Sequence, residues 1–536
     1  MSNAKPTRSL AGIAGIVAAA TLLSKVFGLF RQQAIAAAFG VGVVADAYNY
    51  AYIIPSFFLI MLGGINGPFH SAIVSVTSKR KREEIAPLIE TISTLVGAVL
   101  LVATLVLMVF ADPLIDLVAP GLSQTEVGLA TKAIAIQQLR IMAPMALMAG
   151  LIGIGFGVLN ADDQYWLPSI SPLLSSVTVL VGLAGLLLTL GGEITNSEYA
   201  LLGGQVLAWG TLAGAVLQWL VQVPAQWRSG LGRLRLRFDF NQPGVKETIR
   251  LMGPATLSSG MTQINVYTDL FFASFIPQAA AALGYANLLV QTPLGIISNM
   301  ILVPFLPIFS RLADPENWGE LKLRIRQGLF MTAITMLPLG AIMIALAYPI
   351  VRVIYERYAF DQEASQVVAT VLMAYAVGMF FYLGRDVIVR VFYALGDADT
   401  PFRISIVNIF LNALLDYLLI QTFGTAGLVL ATVGVNIISL VWLLAVLNRK
   451  IDGLPWREWS FPLLGLAIGS IVAGLSSWGS LLGLEQLLGD EGFLIQLLQL
   501  CLAGLAGLTV FALLAAQMRL PEVDQLVGRI RQRFIR

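Results

Sequence analysis

The residues best able to do chemistry are ionisable side chains that interrupt long apolar stretches of the sequence. A charge at the centre of a membrane-spanning helix costs at least about 2.5–3.5 kcal/mol, so it is expected to face the protein interior or water and to have a function. The residues of this kind are Lys25, Arg31, Asp46, Glu90, Arg140, Asp269, Arg385, Asp386, Arg390 and Asp416. Binding and transport sites are therefore sought among them first.

Two cations stand out in the first apolar segment. Lys25 and Arg31 have no acidic residue beside them in the sequence, and Asp46 follows in the second segment. Unpaired cations in a cavity suit a substrate that carries phosphate, because they form charge-assisted hydrogen bonds to it. A structural ion pair with Asp46 or Asp269 is the alternative, and the sequence leaves both open.

A second group combines oxygen-bearing side chains. Asn412 and Asp416 are four residues apart, so both point to the same face of a helix. With Asp269 and Thr432 they offer carboxylate, amide and hydroxyl oxygens, and hard cations take oxygen ligands. The group predicts a site for a monovalent cation such as Na⁺, with neutralisation of the carboxylates by arginine as the alternative.

Several kinds of chemistry are excluded by what the sequence lacks. Its single cysteine, Cys501, and single histidine, His70, leave no intrachain disulfide, thiol metal site or multi-histidine site. No phosphate-cradling Gly-x-x-x-x-Gly-Lys-Ser/Thr motif occurs, and no catalytic cluster stands out. We therefore expect a protein that is not an enzyme, without a transition metal and with no cofactor beyond a possible Na⁺.

These residues must be positioned by a bundle of membrane-spanning helices. The sequence is 57% hydrophobic and 12% charged, unlike water-soluble domains. A spanning helix needs roughly 20 mostly apolar residues. The sequence therefore predicts an all-α integral membrane protein with about 14 transmembrane helices, at approximately 9–36, 44–76, 87–111, 129–159, 166–190, 199–225, 246–275, 279–310, 326–354, 364–395, 401–421, 426–447, 459–483 and 493–517.

Basic residues on alternate connections predict the orientation, because Lys and Arg remain on the cytoplasmic side. One such connection holds residues 79–82, and others lie near 228–246, 311–326 and 449–457. The N-terminus and the tail are also basic, and Arg352 and Arg357 are the exception. Both termini are therefore predicted to be cytoplasmic. Such clusters also suit anionic membrane lipids.

Three landmarks recur at nearly one offset along the sequence. Ala20-Thr21-Leu22 matches Ala255-Thr256-Leu257, Pro55 matches Pro293, and the segment 156–162 resembles 392–399. They predict two pseudo-symmetric six-helix lobes, 1–225 and 246–450, joined by a basic cytoplasmic linker, 226–245. Residues 451–536 would add two helices and a basic tail. Duplicated halves are typical of transporters whose substrate path lies between the repeats.

Helix-breaking residues are expected to interrupt two of the segments. Gly63-Gly64-Ile65-Asn66-Gly67-Pro68 lies within segment two, and segment eight contains Pro293, Pro304 and Pro307. Broken helices at matching places in two halves point to a central cavity, with static kinks as the alternative.

Several of these motifs resemble the MurJ/MviN family of lipid II flippases, within the multidrug/oligosaccharidyl-lipid/polysaccharide exporter superfamily. The similar stretches are Leu23–Arg31, Phe39-Gly40, Ala45–Tyr48, Tyr285-Ala286, Pro293–Gly295, Leu306-Pro307 and Gly396–Pro401. The resemblance covers essentially the whole chain. Superfamily relatives usually have twelve helices and this family has fourteen. The resemblance implies that the extra pair, 459–517 here, forms a groove for the polyprenyl tail.

The resemblance also implies a substrate and the residues that bind it. The substrate would be an undecaprenyl-pyrophosphate-linked disaccharide-pentapeptide, and Lys25, Arg31 and Asp46 match the family's cavity cations and acid. Some members bind Na⁺ through helices seven, eleven and twelve. The positions that match this site are Asp269, Asn412, Asp416 and Thr432, with the backbone carbonyl of Leu428.

The chain departs from the family pattern at three cavity positions. Leu59, Ile60 and Leu288 stand where many members carry arginine. A cavity with fewer cations would hold a pyrophosphate differently. The polar residues expected to contribute are Asn66, His70, Asn287 and Gln291. His70 on its own also fits a helix-packing role.

The leading hypothesis is therefore a lipid II flippase of the bacterial cytoplasmic membrane, important for peptidoglycan synthesis. It would work by alternating access, coupled to an ion or to the membrane potential. The alternatives are a flippase for another lipid-linked oligosaccharide, a related antiporter and a non-transporting scaffold for cell-wall enzymes. Cell-wall synthesis proteins are possible partners, and nucleic acid is not expected to bind.

Overall fold

The computed structural model describes residues 10–62, 68–77, 80–233, 235–261, 263–489 and 492–523. Within these ranges the only extended pairing is an isolated bridge between Arg357 and Phe360, and the regular structure is helical. The α-helices are α1 Leu10–Phe39, α2 Val43–Leu62, α3 Pro68–Thr77, α4 Arg82–Val109, α5 Ala111–Val118, α6 Glu126–Met142, α7 Met145–Ala161, α8 Trp166–Ile170, α9 Leu173–Leu190, α10 Ala200–Ser229, α11 Pro243–Met261, α12 Ile264–Ala273, α13 Ala279–Arg311, α14 Trp318–Ala345, α15 Ala347–Tyr355, α16 Gln362–Ala394, α17 Asp399–Lys450, α18 Trp456–Leu488 and α19 Phe493–Gln517.

The length and composition of these helices confirm a multi-pass membrane protein. Ten stretches of described helix are long and apolar enough to cross a membrane. The pair α6 and α7, bent by 41° at the break before Met145, would make an eleventh span. An all-α integral membrane fold is therefore confirmed.

The turn predicted between residues 421 and 426 lies inside α17. Gly424 has φ +54° and ψ −134°, outside the helical region, and glycine adopts this backbone conformation without the steric cost that other residues incur. A side chain at Gly427 would strike the backbone carbonyl of Leu419. The residues before and after Gly424 therefore pack tightly against each other as two halves of a helical hairpin.

Contacts within the chain divide it into two compact units. Unit 1 comprises Met1–Ala281 with Arg357–Phe360, and unit 2 comprises Ala282–Glu356 with Asp361–Arg536. The lobes predicted from the repeat rest on internal similarity rather than on contacts, and they stay a prediction.

In unit 1, α10 packs against α6, α7 and α9, and α2 packs against α6 and α7. The approach of α10 to α6 is close, because a side chain at Gly204 would strike Ile134. Small residues at such contacts are typical of membrane helices. Gln138 Nε2 donates a hydrogen bond to Gly204 O at 3.0 Å, so a polar side chain reinforces the contact.

In unit 2, α14 packs against α16 and α18, α16 against α17, and α18 against α19. Phe330, Met379 and Val387 are fully buried. The guanidinium of Arg326 lies 4.9 Å from the centre of the Phe330 ring, and its Nε lies 3.4 Å from Glu522 Oε1. The segment after α19 is thereby connected to α14.

The basic linker lies along α4 in unit 1. The Arg233 amide donates to Glu90 Oε1 at 3.2 Å, and the Arg237 amide donates to Thr94 Oγ1 at 3.0 Å. Arg237 Nη1 is 4.0 Å from Glu90 Oε2. Glu90 is one of the ionisable residues singled out in the sequence, and the structure shows that it anchors this linker.

Replacing Glu90 with Ala should loosen the linker. A hydrogen bond to a charged group contributes about 1.5–3 kcal/mol. Detachment of the linker from α4 should therefore become about ten to a hundred times more frequent. Tryptic cleavage after Arg233 and Arg235 would measure it, with Glu84→Ala, an exposed glutamate on the same helix, as the control. Equal cleavage rates in the two variants would contradict the anchoring role.

Candidate functional site

The predicted cavity cations lie on α1, a continuous helix. Lys25 is exposed and Arg31 is half-buried. Arg31 Nε is buried and lacks a hydrogen-bond partner among the described residues. No carboxylate in the described part of the chain forms an ion pair with Lys25 or Arg31. The structural ion pair with Asp46 or Asp269, the alternative left open by the sequence, is therefore not observed.

Asp46 has different partners. It lies in the first turn of α2 and is buried. Its Oδ2 accepts a hydrogen bond from the Gln278 amide at 2.7 Å, and its Oδ1 accepts one from the Ala281 amide at 2.8 Å. These amides belong to the N-terminus of α13, where unpaired N–H groups and the helix dipole favour a negative charge. The structure thus makes Asp46 a cap of α13, and its substrate role stays a prediction.

Two further contacts lie at the same end of unit 1. The Gly121 amide donates to Ser274 Oγ at 2.9 Å, and the Ala359 amide donates to Ala37 O at 3.0 Å. A cavity of about 240 Å³ lies beside them, lined by Gly42, Asp46, Gly121, Ser274 and Gln278 among others. The Asp46 cap is therefore part of a set of polar contacts that joins α1 and α2 to later segments of unit 1.

His70 is paired with a residue that sequence reasoning had used only as a marker of the repeat. Its Nε2 lies 2.7 Å from Asn160 Nδ2, and the two residues line a cavity of about 260 Å³ with Val17, Tyr165 and Ser169. His70 Nδ1 and Asn160 Oδ1 are buried and lack hydrogen-bond partners among the described residues. The cavity is therefore lined by one imidazole and one amide side chain, each with a further polar atom that has no partner among the described residues.

The other predicted substrate residues differ in setting. Asn287 and Gln291 are exposed and four residues apart on α13, so they share a face. Asn66 lies outside the described residues. Among the positions where the family often has arginine, Ile60 is exposed, and Leu59 and Leu288 are half-buried.

The predicted cation ligands of unit 2 come together on α17. Asn412 and Asp416 are fully buried, and Asn412 Nδ2 donates to Asp416 Oδ2 at 2.9 Å. Thr432 Oγ1 donates to Asn412 Oδ1 at 3.3 Å across the hairpin. Leu428 is buried one turn before Thr432. Asp269, half-buried on α12, belongs to unit 1, so the two parts of the predicted site are described separately.

The Gly396–Pro401 motif forms a structural turn. The Thr400 amide donates to Asp397 Oδ1 at 3.0 Å, and Lys450 Nζ donates to Asp397 Oδ2 at 2.6 Å. Partial burial acts to raise the pKa of Asp397, but the hydrogen bonds from Lys450 and Thr400 outweigh it and lower that pKa below its usual value. The motif thus joins the start of α17 to its end.

Comparison with known proteins identifies the family. The family model "Lipid II flippase MurJ" matches residues 35–498 of the chain, which is more than half of it. The chain belongs to the MurJ family. It is 58% identical over 534 residues to a protein of Synechocystis sp. named "Probable lipid II flippase MurJ", covering 100% of this chain and 99% of that protein. It is also 29% identical over 475 residues to "Lipid II flippase MurJ" of Burkholderia cenocepacia, covering 85% and 88% of the two chains.

Solved structures support the MurJ-type fold. A structure described as "Lipid II flippase MurJ, inward closed conformation" matches with a TM-score of 0.73 and 22% identity, covering 92% of this chain and 97% of that one. An inward-facing multidrug resistance MATE family transporter of the MOP superfamily matches with a TM-score of 0.63 and 15% identity, covering 82% and 98%. At these identities the likeness concerns the fold alone.

Replacing Asp46 with Ala should destabilise the N-terminus of α13, because removing a helix cap costs about 0.5–2 kcal/mol. Hydrogen exchange at the amides of Gln278 and Ala281 should accelerate. Asn49→Ala, which removes a side chain bonded only to Ala45 O one turn along α2, serves as the control. Unchanged exchange in Asp46→Ala would show that the cap does not hold α13 in solution.

Proposed function

We propose that this chain is a lipid II flippase, which moves an undecaprenyl-pyrophosphate-linked peptidoglycan precursor from the inner to the outer leaflet of the bacterial cytoplasmic membrane. The observation that carries the proposal is the full-length similarity to the Synechocystis protein of that name, together with the family match. The proposed cycle is alternating access, in which a cavity takes the headgroup while the tail stays in lipid.

The chemistry of α1 suits the proposed cargo. Arg31 places a guanidinium cation in a half-buried position, with Nε lacking a partner among the described residues. Guanidinium groups bind phosphate oxygens through paired, charge-assisted hydrogen bonds. Lys25, exposed on the same helix, would add a second cation. We assign both to the pyrophosphate.

The helix bounds support the proposed fourteen-span, two-lobe architecture. Counting α2 with α3, α6 with α7, α8 with α9 and α11 with α12 as single spans, and dividing α17 at Gly424, gives fourteen with the short α5 and α15 left out. Helix starts also recur at an offset of 236 residues at four places: 43 and 279, 82 and 318, 111 and 347, 126 and 362. In this architecture α18 and α19 would form the groove for the lipid tail, and both termini would be cytoplasmic.

We further propose that a monovalent cation couples to the cycle. Asn412, Asp416 and Thr432 would provide side-chain oxygens, with the Leu428 carbonyl as a further ligand. The support is the burial of Asn412 and Asp416 and the hydrogen bonds that join the three side chains. Either binding of the ion or the membrane potential would favour the return step of the transport cycle.

A second candidate is a flippase for another lipid-linked oligosaccharide. It is favoured by the apolar side chains at Leu59, Ile60 and Leu288, which leave fewer cations for a pyrophosphate. The cavity at His70 and Asn160 in unit 1 would then supply neutral hydrogen bonds to a sugar. A related antiporter and a cell-wall scaffold have no observation of this kind in their favour.

Complementation tests the proposed cargo. The parent chain should restore growth to a bacterium depleted of its lipid II flippase. Arg31→Ala and Lys25→Ala should fail or rescue weakly, because the pyrophosphate loses a charged donor, and Lys25→Arg should rescue. Arg457→Ala, at an exposed position on α18, is the control. Full rescue by well-inserted Arg31→Ala would contradict the assigned role, and failure of the inserted parent would favour the second cargo.

Sodium-dependent stability tests the cation site. A ligand at 100 times its Kd stabilises the folded state by about 2.7 kcal/mol, so NaCl should raise the Tm of the purified chain above its value in choline chloride. Asp416→Asn should abolish the difference, whereas Gln421→Ala, at an exposed position on the same helix, should retain it. A Tm of the parent that is equal in the two salts would contradict the site.

A further inference from the structure

The two halves of α17 face each other with polar residues along much of their length. Because the halves are antiparallel, each step toward the N-terminus in the first half is matched by a step toward the C-terminus in the second. The contact between Asn412 and Thr432 sets the register. Four residues further along, Asn408 then faces Asn436, and three residues beyond that, Ser405 faces Ser439. These positions and Asp416 form what we term the polar ladder: Ser405, Asn408, Asn412, Asp416, Thr432, Asn436 and Ser439.

Contacts define the ladder at both ends. One end is the Asn412–Asp416–Thr432 cluster. At the other end Ser405 and Ser439 bond to a single guanidinium: Arg385 Nε donates to Ser439 Oγ at 3.0 Å, and Arg385 Nη2 donates to Ser405 Oγ at 3.3 Å. The register derived from the middle of the hairpin therefore agrees with the contacts at its end.

Four of the seven ladder residues are buried, and Asn408, one of these four, is incompletely satisfied. Asn408 is 3% exposed, and Asn412, Asp416 and Ser439 are 0% exposed. Asn408 Oδ1 is buried and lacks a hydrogen-bond partner among the described residues. An unpaired amide oxygen away from water is costly. It is also the type of oxygen that coordinates a hard cation, and it lies one turn from the proposed cation site.

Arg385 occupies one end of the ladder. Its cationic guanidinium bridges the two serines across the hairpin, and its Nη1 lies 3.8 Å from Asp386 Oδ1. A cation moving along the ladder beyond Asn408 would meet this positive charge at close range. Ser405 is two turns from the start of α17, the end that the charge pattern predicts to be cytoplasmic. The closed end is therefore the cytoplasmic one.

We propose that the polar ladder is a one-ended path for a small monovalent cation, with a second binding position at Asn408 and Asn436 and a permanent plug at Arg385. The inference rests on the proposed cation site at Asn412 and Asp416. It adds that no ion reaches or leaves that site past Arg385. An ion gradient can then bias the transport cycle without a leak through this half of the protein.

Passive sodium flux into proteoliposomes tests the plug, with a sodium-sensitive dye inside the vesicles. The full-length chain should be nearly impermeable to Na⁺. Arg385→Gln should raise the flux at least tenfold, Arg385→Lys should keep it low, and Asn408→Leu added to Arg385→Gln should lower it again. Arg403→Gln, at an exposed position on α17, should behave like the parent.

The Tm difference between NaCl and choline chloride separates the two proposals. Arg385→Gln should retain the difference, because Asn412 and Asp416 are intact. If Arg385→Gln keeps the Tm difference but has the same sodium flux as the parent, the plug is overturned and the cation site still stands. Absence of the difference in the parent would overturn both. A flux that Asn408→Leu fails to lower would show that the leak bypasses the ladder, which also overturns the proposed path.

Discussion

A polar group inside the hydrocarbon of a membrane has no water to bond, so it must find its partner within the protein. This constraint accounts for the helical architecture, because a helix satisfies its own backbone groups. Charged side chains of the described helices likewise have partners within the protein. Asp46 bonds to amides at the N-terminus of α13, Glu90 bonds to the basic linker, and Arg385 bonds to two serines of α17.

The same constraint separates structural from functional residues. A charged side chain whose partners are all protein atoms is explained by the fold, as Glu90 is. Arg31 Nε, His70 Nδ1 and Asn160 Oδ1 are buried without partners among the described residues, so the described contacts leave their hydrogen-bonding capacity unused.

The sequence predicted the features that depend on local pattern. Apolar length predicted a multi-pass helical membrane protein, and ten or eleven spans are found among the described residues. The four-residue spacing predicted that Asn412 and Asp416 share a face, as their hydrogen bond confirms. Pairing across the fold could not be predicted. Asp46 was grouped with Lys25 and Arg31 because they are near in sequence, yet its partners are more than 230 residues away. Asn160 was missed as the partner of His70 because the two residues are 90 positions apart and no spacing or motif connects them in the sequence.

The most direct test is translocation of fluorescently labelled lipid II in proteoliposomes, measured by the headgroup that becomes accessible to a membrane-impermeant quencher. The account predicts protein-dependent translocation by the parent chain and at least a tenfold lower rate for Arg31→Gln reconstituted to the same density. A parent rate equal to that of protein-free liposomes would contradict the proposed function. Equal rates for parent and variant would contradict the role of the unpaired guanidinium.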